Sequence, residues 1–294
     1  MDKPTIDMHM HSNVSDGSND PEKIPWIAKR NGLKGICLTD HDCHLGLPEF
    51  MAAAPKYGIE AIAGIEMSCK FEGVDVHIIG FGIDFRRDCF FRNRLEKHWE
   101  IYKKRTEMAL QKYIQLGLIP LHTTLEEIRK NTGSRGPWVS VMHIRAYSAK
   151  LLGQLYKESI GVMPRNEATY IDYDDPLIMT PQEGMDFIEE VGGIPVLAHP
   201  DEFLRRTNGT PEDAEKTLFK VLDMLQERKQ KGIEVFHPSH TQERRKYFYE
   251  IARKRGFLIT AGSDYHGDFK PNVPMGMVGV TFREFLEFKR LCEN

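Results

Sequence analysis

Histidines and carboxylates able to hold metal ions stand along this chain in short groups. His9 and His11 are two apart, so on an extended backbone both imidazoles point to one face and can grip one ion. Thr39-Asp40-His41-Asp42, Gly64-Ile65-Glu66, His77, Ala198-His199-Pro200, Pro238-Ser239-His240 and Gly262-Ser263-Asp264-Tyr265-His266 supply the rest. Nitrogen and oxygen donors without thiolate suit Zn, Mn or Fe(II) in a working site and not a structural zinc knuckle. There are more donors than one ion uses. Two or three divalent cations about 4 Å apart can each bind a phosphate oxygen, activate a water and neutralise the leaving oxygen. Such chemistry needs no Ser, Cys or Lys nucleophile.

The elements that must position these groups are short apolar runs at residues 5–8, 35–39, 61–65, 76–82, 194–198, 232–236 and 257–261, alternating with helix-like segments. This is the rhythm of an α/β fold with a parallel sheet. In a (β/α) barrel the loops after the strands converge on one rim, so seven strand ends would deliver imidazoles and carboxylates to one place. Asp20-Pro21 and Thr180-Pro181 each read as an N-cap with proline at the first helical position, and Gly256 ends a helix over 241–255. From about residue 84 to 175 the strand rhythm stops and charged helices take over, around 88–116 and 138–152. The expected organisation is a barrel domain of residues 1–84 and 176–294, with a helical insertion, or cap, over 85–175.

The chain has 294 residues, a hydrophobic fraction of 40% and a charged fraction of 28%, enough to bury a real core. A net charge of -3 gives no global attraction to nucleic acid or anionic membrane. Five scattered cysteines without a CxxC pair, and a start lacking an apolar leader, lead to the expectation of a reducing, cytoplasmic setting. Apolar runs are too short for membrane helices. Cys43 is read as a small packed side chain, and Trp26 and Trp99 as core. No feature marks an obligate protein partner.

These residues resemble the PHP family, named for its polymerase-associated and histidinol phosphatase members. The likeness is carried by Asp7-x-His9-x-His11, Ser15-Asp16-Gly17, Thr39-Asp40-His41-Asp42, Gly64-x-Glu66, His77, Ala198-His199-Pro200 and Gly262-Ser263-Asp264-x-His266. It implies a distorted (β/α)7 barrel with two or three divalent ions. His9, His11, Glu66 and Asp264 would hold one, with Glu66 bridging to a second on His77 and His199. A third would use Asp16, His41 and His266. Asp40 would orient an imidazole from behind. His240 would contact phosphate or protonate the leaving group, while His237 packs or faces solvent.

Within that family, Ile233-Glu234-Val235 followed by Pro238-Ser239-His240, and the helical insertion, look like the stand-alone branch acting on nucleotides and short oligoribonucleotides. Relatives tend to carry a basic residue two positions before the insertion histidine; here Val141 precedes His143, and Arg135 or Arg145 would have to substitute. The expected substrate contacts are therefore Arg135, His143 and His240. The run of Arg86, Arg87, Arg92, Arg94, Lys97, Lys103, Lys104 and Arg105 is read as a solvated helix face, with a positive funnel for substrate as the alternative. Trp138 could stack a base or anchor the cap. The leading expectation is hydrolysis of a nucleoside 3',5'-bisphosphate or the terminal diester of a short oligoribonucleotide. The alternatives are a histidinol-phosphate-type phosphatase, a non-catalytic metal-binding regulatory module, and a carbon–nitrogen hydrolase.

Overall fold

The computed structural model describes residues 5–153 and 178–293, so the expected cap boundary at 175/176 lies outside the described residues. Seven strands follow one another around a sheet in chain order: β1 Ile6–Asp7, β2 Gly35–Leu38, β3 Glu60–Phe71, β4 Val74–Phe81, β5 Ile194–Leu197, β6 Gly232–Phe236 and β7 Leu258–Ala261. The Met8 amide donates to the Ala261 carbonyl at 3.1 Å and Met10 bridges to Tyr265, which brings the first strand against the last and makes the sheet a nearly closed barrel. β2 and β5 are buried at every residue, as strands covered on both faces must be.

The helices among the described residues are α1 Ile24–Arg30, α2 Leu47–Ala53, α3 Asp88–Gln115, α4 Leu125–Thr132, α5 Val141–Leu151, α6 Pro181–Glu190, α7 Pro200–Arg206, α8 Pro211–Gln226, α9 Gln242–Arg255 and α10 Phe282–Cys292. Thr180, Thr210 and Thr281 each close a capping box onto α6, α8 and α10, satisfying backbone amides that a helix start leaves open.

One strand departs from the all-parallel expectation. β4 runs antiparallel to both β3 and β5, with residues 64–71 of β3 paired to 74–81. The link is only Glu72-Gly73, with φ of 50° and 80°, the positive pair of a tight hairpin turn. A parallel crossover needs a dozen or more residues, so two residues force the reversal. The reversal explains why His77 lies early in its strand: β4 starts at the rim where its neighbours end.

Ile62 shares a face of β3 with Glu66, and Ile79 and Phe81 share a face of β4 with His77. With Ile6, Met8, Val196 and Ala261 they form an apolar cluster completed by Phe285 and Phe288 of α10. This cluster underlies the polar groups inside the barrel, and α10 closes its base.

α3 begins beside the barrel's base, where the Asp84 amide donates to the Val191 carbonyl and Arg94 pairs with Glu190 at 3.5 Å. By Trp99 and Tyr102 it has reached the His41–Asp42 loop: Trp99 Nε1 donates to the Asp42 carbonyl at 2.9 Å and the Tyr102 hydroxyl to Asp42 Oδ2 at 2.7 Å. Its remainder carries Ala109, Leu110 and Tyr113 into a separate small core with Ile128, Ile144 and Tyr147 of α4 and α5. Trp99 is core, as expected, but Trp26 is 44% exposed with Arg30 over its ring at 4.9 Å; one turn of a short helix faces outward there. Cys43 is buried, and burial pushes its thiol up, away from the thiolate a metal needs.

Candidate metal centre

Glu66, fully buried in the middle of β3, divides its two carboxylate oxygens between two groups of imidazoles. Oε2 lies 3.1 Å from Nε2 of both His9 and His11 and 3.3 Å from His41 Nδ1. Oε1 lies 2.9 Å from His77 Nδ1 and 3.0 Å from His199 Nε2. Asp264 Oδ1 stands 3.2 Å from His11 Nε2, and Asp16 Oδ2 stands 3.2 Å from His266 Nε2 and 3.9 Å from His41 Nε2. The expected ligands are thus all brought together at the rim. Among the described residues, three donor sets, each with its ligand atoms within 4.8 Å of one another, could hold cations: His9, His11 and Asp264; His41, Glu66 and His77; and His11, Asp16, His41 and His266. His11 Nδ1 is buried without a hydrogen-bond partner, which fits a donor meant for an ion.

The backbone is bent to make this convergence. His199 and Asp264 have φ of 24° and 58°, left-handed values that cost energy for a side chain with a Cβ and cluster at functional sites. Gly262 packs against His9 so closely that a Cβ would sit 2.1 Å from the His9 Cβ, so a glycine is required there.

Glu234, not expected to take part, supports the site from behind: Oε1 is 3.1 Å from His9 Nδ1, and Oε2 accepts from the His199 amide at 2.9 Å. Asp40, expected in that role, has other partners. It accepts from the Ser12 amide at 2.7 Å and the Ser12 and Ser15 hydroxyls at 2.6 and 2.5 Å, fastening the loop that carries Asp16. Residue type after a strand could not distinguish the two carboxylates; Glu234 faces inward by strand alternation.

Burial opposes charge throughout the cluster; pairing overrides it at the carboxylates Glu66 and Asp16 and at His11, while burial wins at His41, His199 and His266. His41, His9 and His77 hold the Glu66 carboxyl well below its ordinary range, and His266 and His41 do the same for Asp16. Asp264 and Glu66 raise His11 to about 9 against burial, while burial dominates at His41 and takes it down to about 3. A group of carboxylates that draws protons onto neighbouring imidazoles is one that attracts cations.

Above the cluster opens a cavity of about 580 Å³. Its floor holds Asp16, His41, Glu66, His77, His199 and Asp264, and its cap wall carries Tyr102, Arg105, Trp138 and Arg145. The Tyr102 and Trp138 rings lie 4.9 Å apart. Arg105, placed by its sequence run on a solvated face, lines this wall instead.

The three expected substrate contacts are elsewhere. Arg135 forks onto Glu49 at 2.6 and 2.8 Å on the outer surface. His143 is fully buried on the far side of α5, with Nδ1 2.7 Å from the Ser140 hydroxyl and its ring against Phe269. Ser140, Val141, Met142 and Arg145 line the cavity; residues 141 and 145 are one turn apart on the same helical face, so Arg145 faces the cavity on the side where Val141 stands. His240 is buried behind His237, its Nδ1 2.9 Å from the Val235 carbonyl. His237 packs against the cluster itself: Nδ1 accepts from the Ser239 amide at 3.2 Å, and Nε2 points at Asp264 Oδ2, 3.7 Å away. Lys270, which no motif marked, also lines the cavity, 2.6 Å from Asp264 Oδ2.

A barrel whose rim gathers histidines and carboxylates into several cation sets defines a metal-dependent hydrolase. The PHP domain model matches residues 7–237, and the chain belongs to that family. It is 27% identical over 276 residues to a phosphoribosyl 1,2-cyclic phosphate 1,2-diphosphodiesterase of Eggerthella lenta, covering 90% of this chain and 94% of that one. A 3',5'-nucleoside bisphosphate phosphatase of Chromobacterium violaceum is 28% identical over 276 residues, 89% of this chain and 87% of the other. A solved structure from Bifidobacterium adolescentis superposes with a TM-score of 0.80 at 22% identity, covering 99% and 98% of the two chains, a likeness of fold.

Proposed function

We propose that this chain, a metal-dependent phosphoesterase of the PHP family, removes a phosphate from nucleoside 3',5'-bisphosphates. The observation that carries the reading is the two-ended cavity: a floor of ion ligands, and opposite it a wall with Arg105, Arg145 and Trp138. A phosphomonoester with a small leaving group needs only the floor. A second phosphate and a base account for the wall, and the likeness to a bisphosphate phosphatase supports the same choice.

His9, His11, Asp16, His41, Glu66, His77, His199, Asp264 and His266 would hold two or three divalent ions, which when bound supply Lewis acidity toward phosphate oxygens and a lowered water pKa. Glu66 fixes the spacing between two of the sets. Glu234 holds the His9 ring by its rear nitrogen. Arg145 and Arg105 take the remote phosphate, the Tyr102–Trp138 pair takes the base, and helices α3 to α5 act as the cap, residues 85–175.

The test is a panel on protein loaded with Mn or Zn: nucleoside 3',5'-bisphosphate, mononucleotide, short oligoribonucleotide, phosphoribosyl cyclic phosphate, histidinol phosphate and an aryl phosphate. The bisphosphate should give the highest kcat/KM. Arg145→Ala should lower that value about ten- to a hundredfold, the roughly 1.5 to 3 kcal/mol of a charge-assisted contact, and spare the aryl phosphate. Preference for any other member of the panel, or a parallel loss on both substrates, overturns the assignment.

A further inference from the structure

The Asp264 carboxylate is divided as Glu66 is, but with a different outcome. Oδ1 faces the cluster, 3.2 Å from His11 Nε2 and 3.4 Å from His266 Nδ1. Oδ2 faces away, 2.6 Å from Lys270 Nζ. Lys270 follows the single turn Gly267–Phe269 after His266, so its stem is anchored immediately beyond a ligand. Its side chain is 29% exposed, and that exposure is into the cavity.

An ammonium beside an ion site would ordinarily be expected to work against cation binding. Here Asp264 Oδ2 offsets that charge, and the contact takes one of three N–H groups. Two donors remain on a charged nitrogen tethered by Asp264, at the edge of the floor on which a phosphate would rest.

We propose that Lys270 is a further substrate-binding residue, which donates to a non-bridging oxygen of the phosphate being hydrolysed; this rests on the phosphoesterase reading above. Its place differs from that of Arg145. Lys270 belongs to the floor and serves any phosphate ester, whereas Arg145 belongs to the cap and serves only substrates with a second charged group. No bond is made or broken by Lys270, and its proton stays on Nζ.

The probe is inorganic phosphate, titrated calorimetrically into metal-loaded wild type, Lys270→Met and Lys270→Arg, with metal content measured by elemental analysis on the same samples. Lys270→Met should weaken phosphate binding by about tenfold or more, the scale of one charge-assisted hydrogen bond, with ions per chain unchanged. Lys270→Arg should keep most of the affinity. Hydrolysis of the aryl phosphate should fall in Lys270→Met as well, the opposite of Arg145→Ala. Wild-type phosphate affinity in Lys270→Met overturns the proposal. So does a loss of ions in both variants, because Lys270 would then be a support for Asp264. If wild type itself neither binds phosphate nor hydrolyses any ester, the phosphoesterase reading fails first.

Discussion

Glu66 is where the cluster is most exposed to a single change, because its two oxygens serve different imidazole groups. Glu66→Ala should remove at least one ion per chain and abolish hydrolysis, read by elemental analysis and by turnover of an aryl phosphate in a variant shown to be folded by circular dichroism. Retained ions with near-native turnover would show that another group bridges. His237→Ala should be milder, since His237 stands 3.7 Å from Asp264 and otherwise packs its ring against His199, with centroids 5.4 Å apart, in a supporting place. His143, which feels the charge of Asp16 but is no ligand, offers a pH test of the cap. Burial takes it down to about 4 from the usual value near 6.5, so the folded state holds it neutral. Its contribution is present above about pH 6.5 and lost as the pH falls toward 4, because the unfolded chain takes up the proton first. Urea unfolding of wild type and His143→Leu should show a stability gap that narrows by roughly 2 kcal/mol between pH 7 and pH 4.5; a gap that stays constant would show that His143 is protonated in place.

At the scale of elements, the cap is keyed to two ligand-bearing loops, not draped over them. Trp99 and Tyr102 of α3 hold the backbone and side chain of Asp42, next to His41. The Arg135 amide donates to the Asn13 carbonyl at 2.7 Å, and Gly136 lies so near Val14 that a Cβ would stand 1.9 Å from its carbonyl oxygen. Gly136→Ala should therefore push the cap segment off the loop that carries Asp16, lowering stability by about 1 to 3 kcal/mol. It should weaken ion binding at the Asp16 set more than at the Glu66 set, as metal titration would show. Equal binding at all sets would show the cap to be mechanically independent. The gathering of the candidate ligands was legible in the sequence because most of them follow a short apolar run, although Glu66 and His77 turn out to lie within β3 and β4 themselves. The cap wall of the cavity was not. Val141 and Arg145 form one face only once α5 exists, and the proximity of His143 in sequence says nothing about a side chain turned to the opposite face. The reversed β4 was written in the two residues Glu72-Gly73, but an apolar run read alone carries no direction.

For the molecule as a whole, the barrel interior is apolar at the base and a concentration of carboxylates and imidazoles at the rim, so the upper half depends on cations that the lower half does not need. Chelation should lower the melting temperature, and readdition of Mn or Zn at a hundred times its dissociation constant should restore about 2.7 kcal/mol per site. Scanning calorimetry with and without chelator measures this, and an unchanged transition would mean that the site is held by its own ion pairs alone. The reversal of β4 also sets a dimension. Because β4 ends at the base, α3 must start there, and its 28 residues span about 42 Å, of which roughly 20 Å lies past Tyr102 and beyond the rim. One rod therefore spans both layers: Arg94 near its start pairs with Glu190 beside the barrel's base, and Tyr113 near its end is buried in the core of the cap, so a shift at either end of α3 is felt at the other.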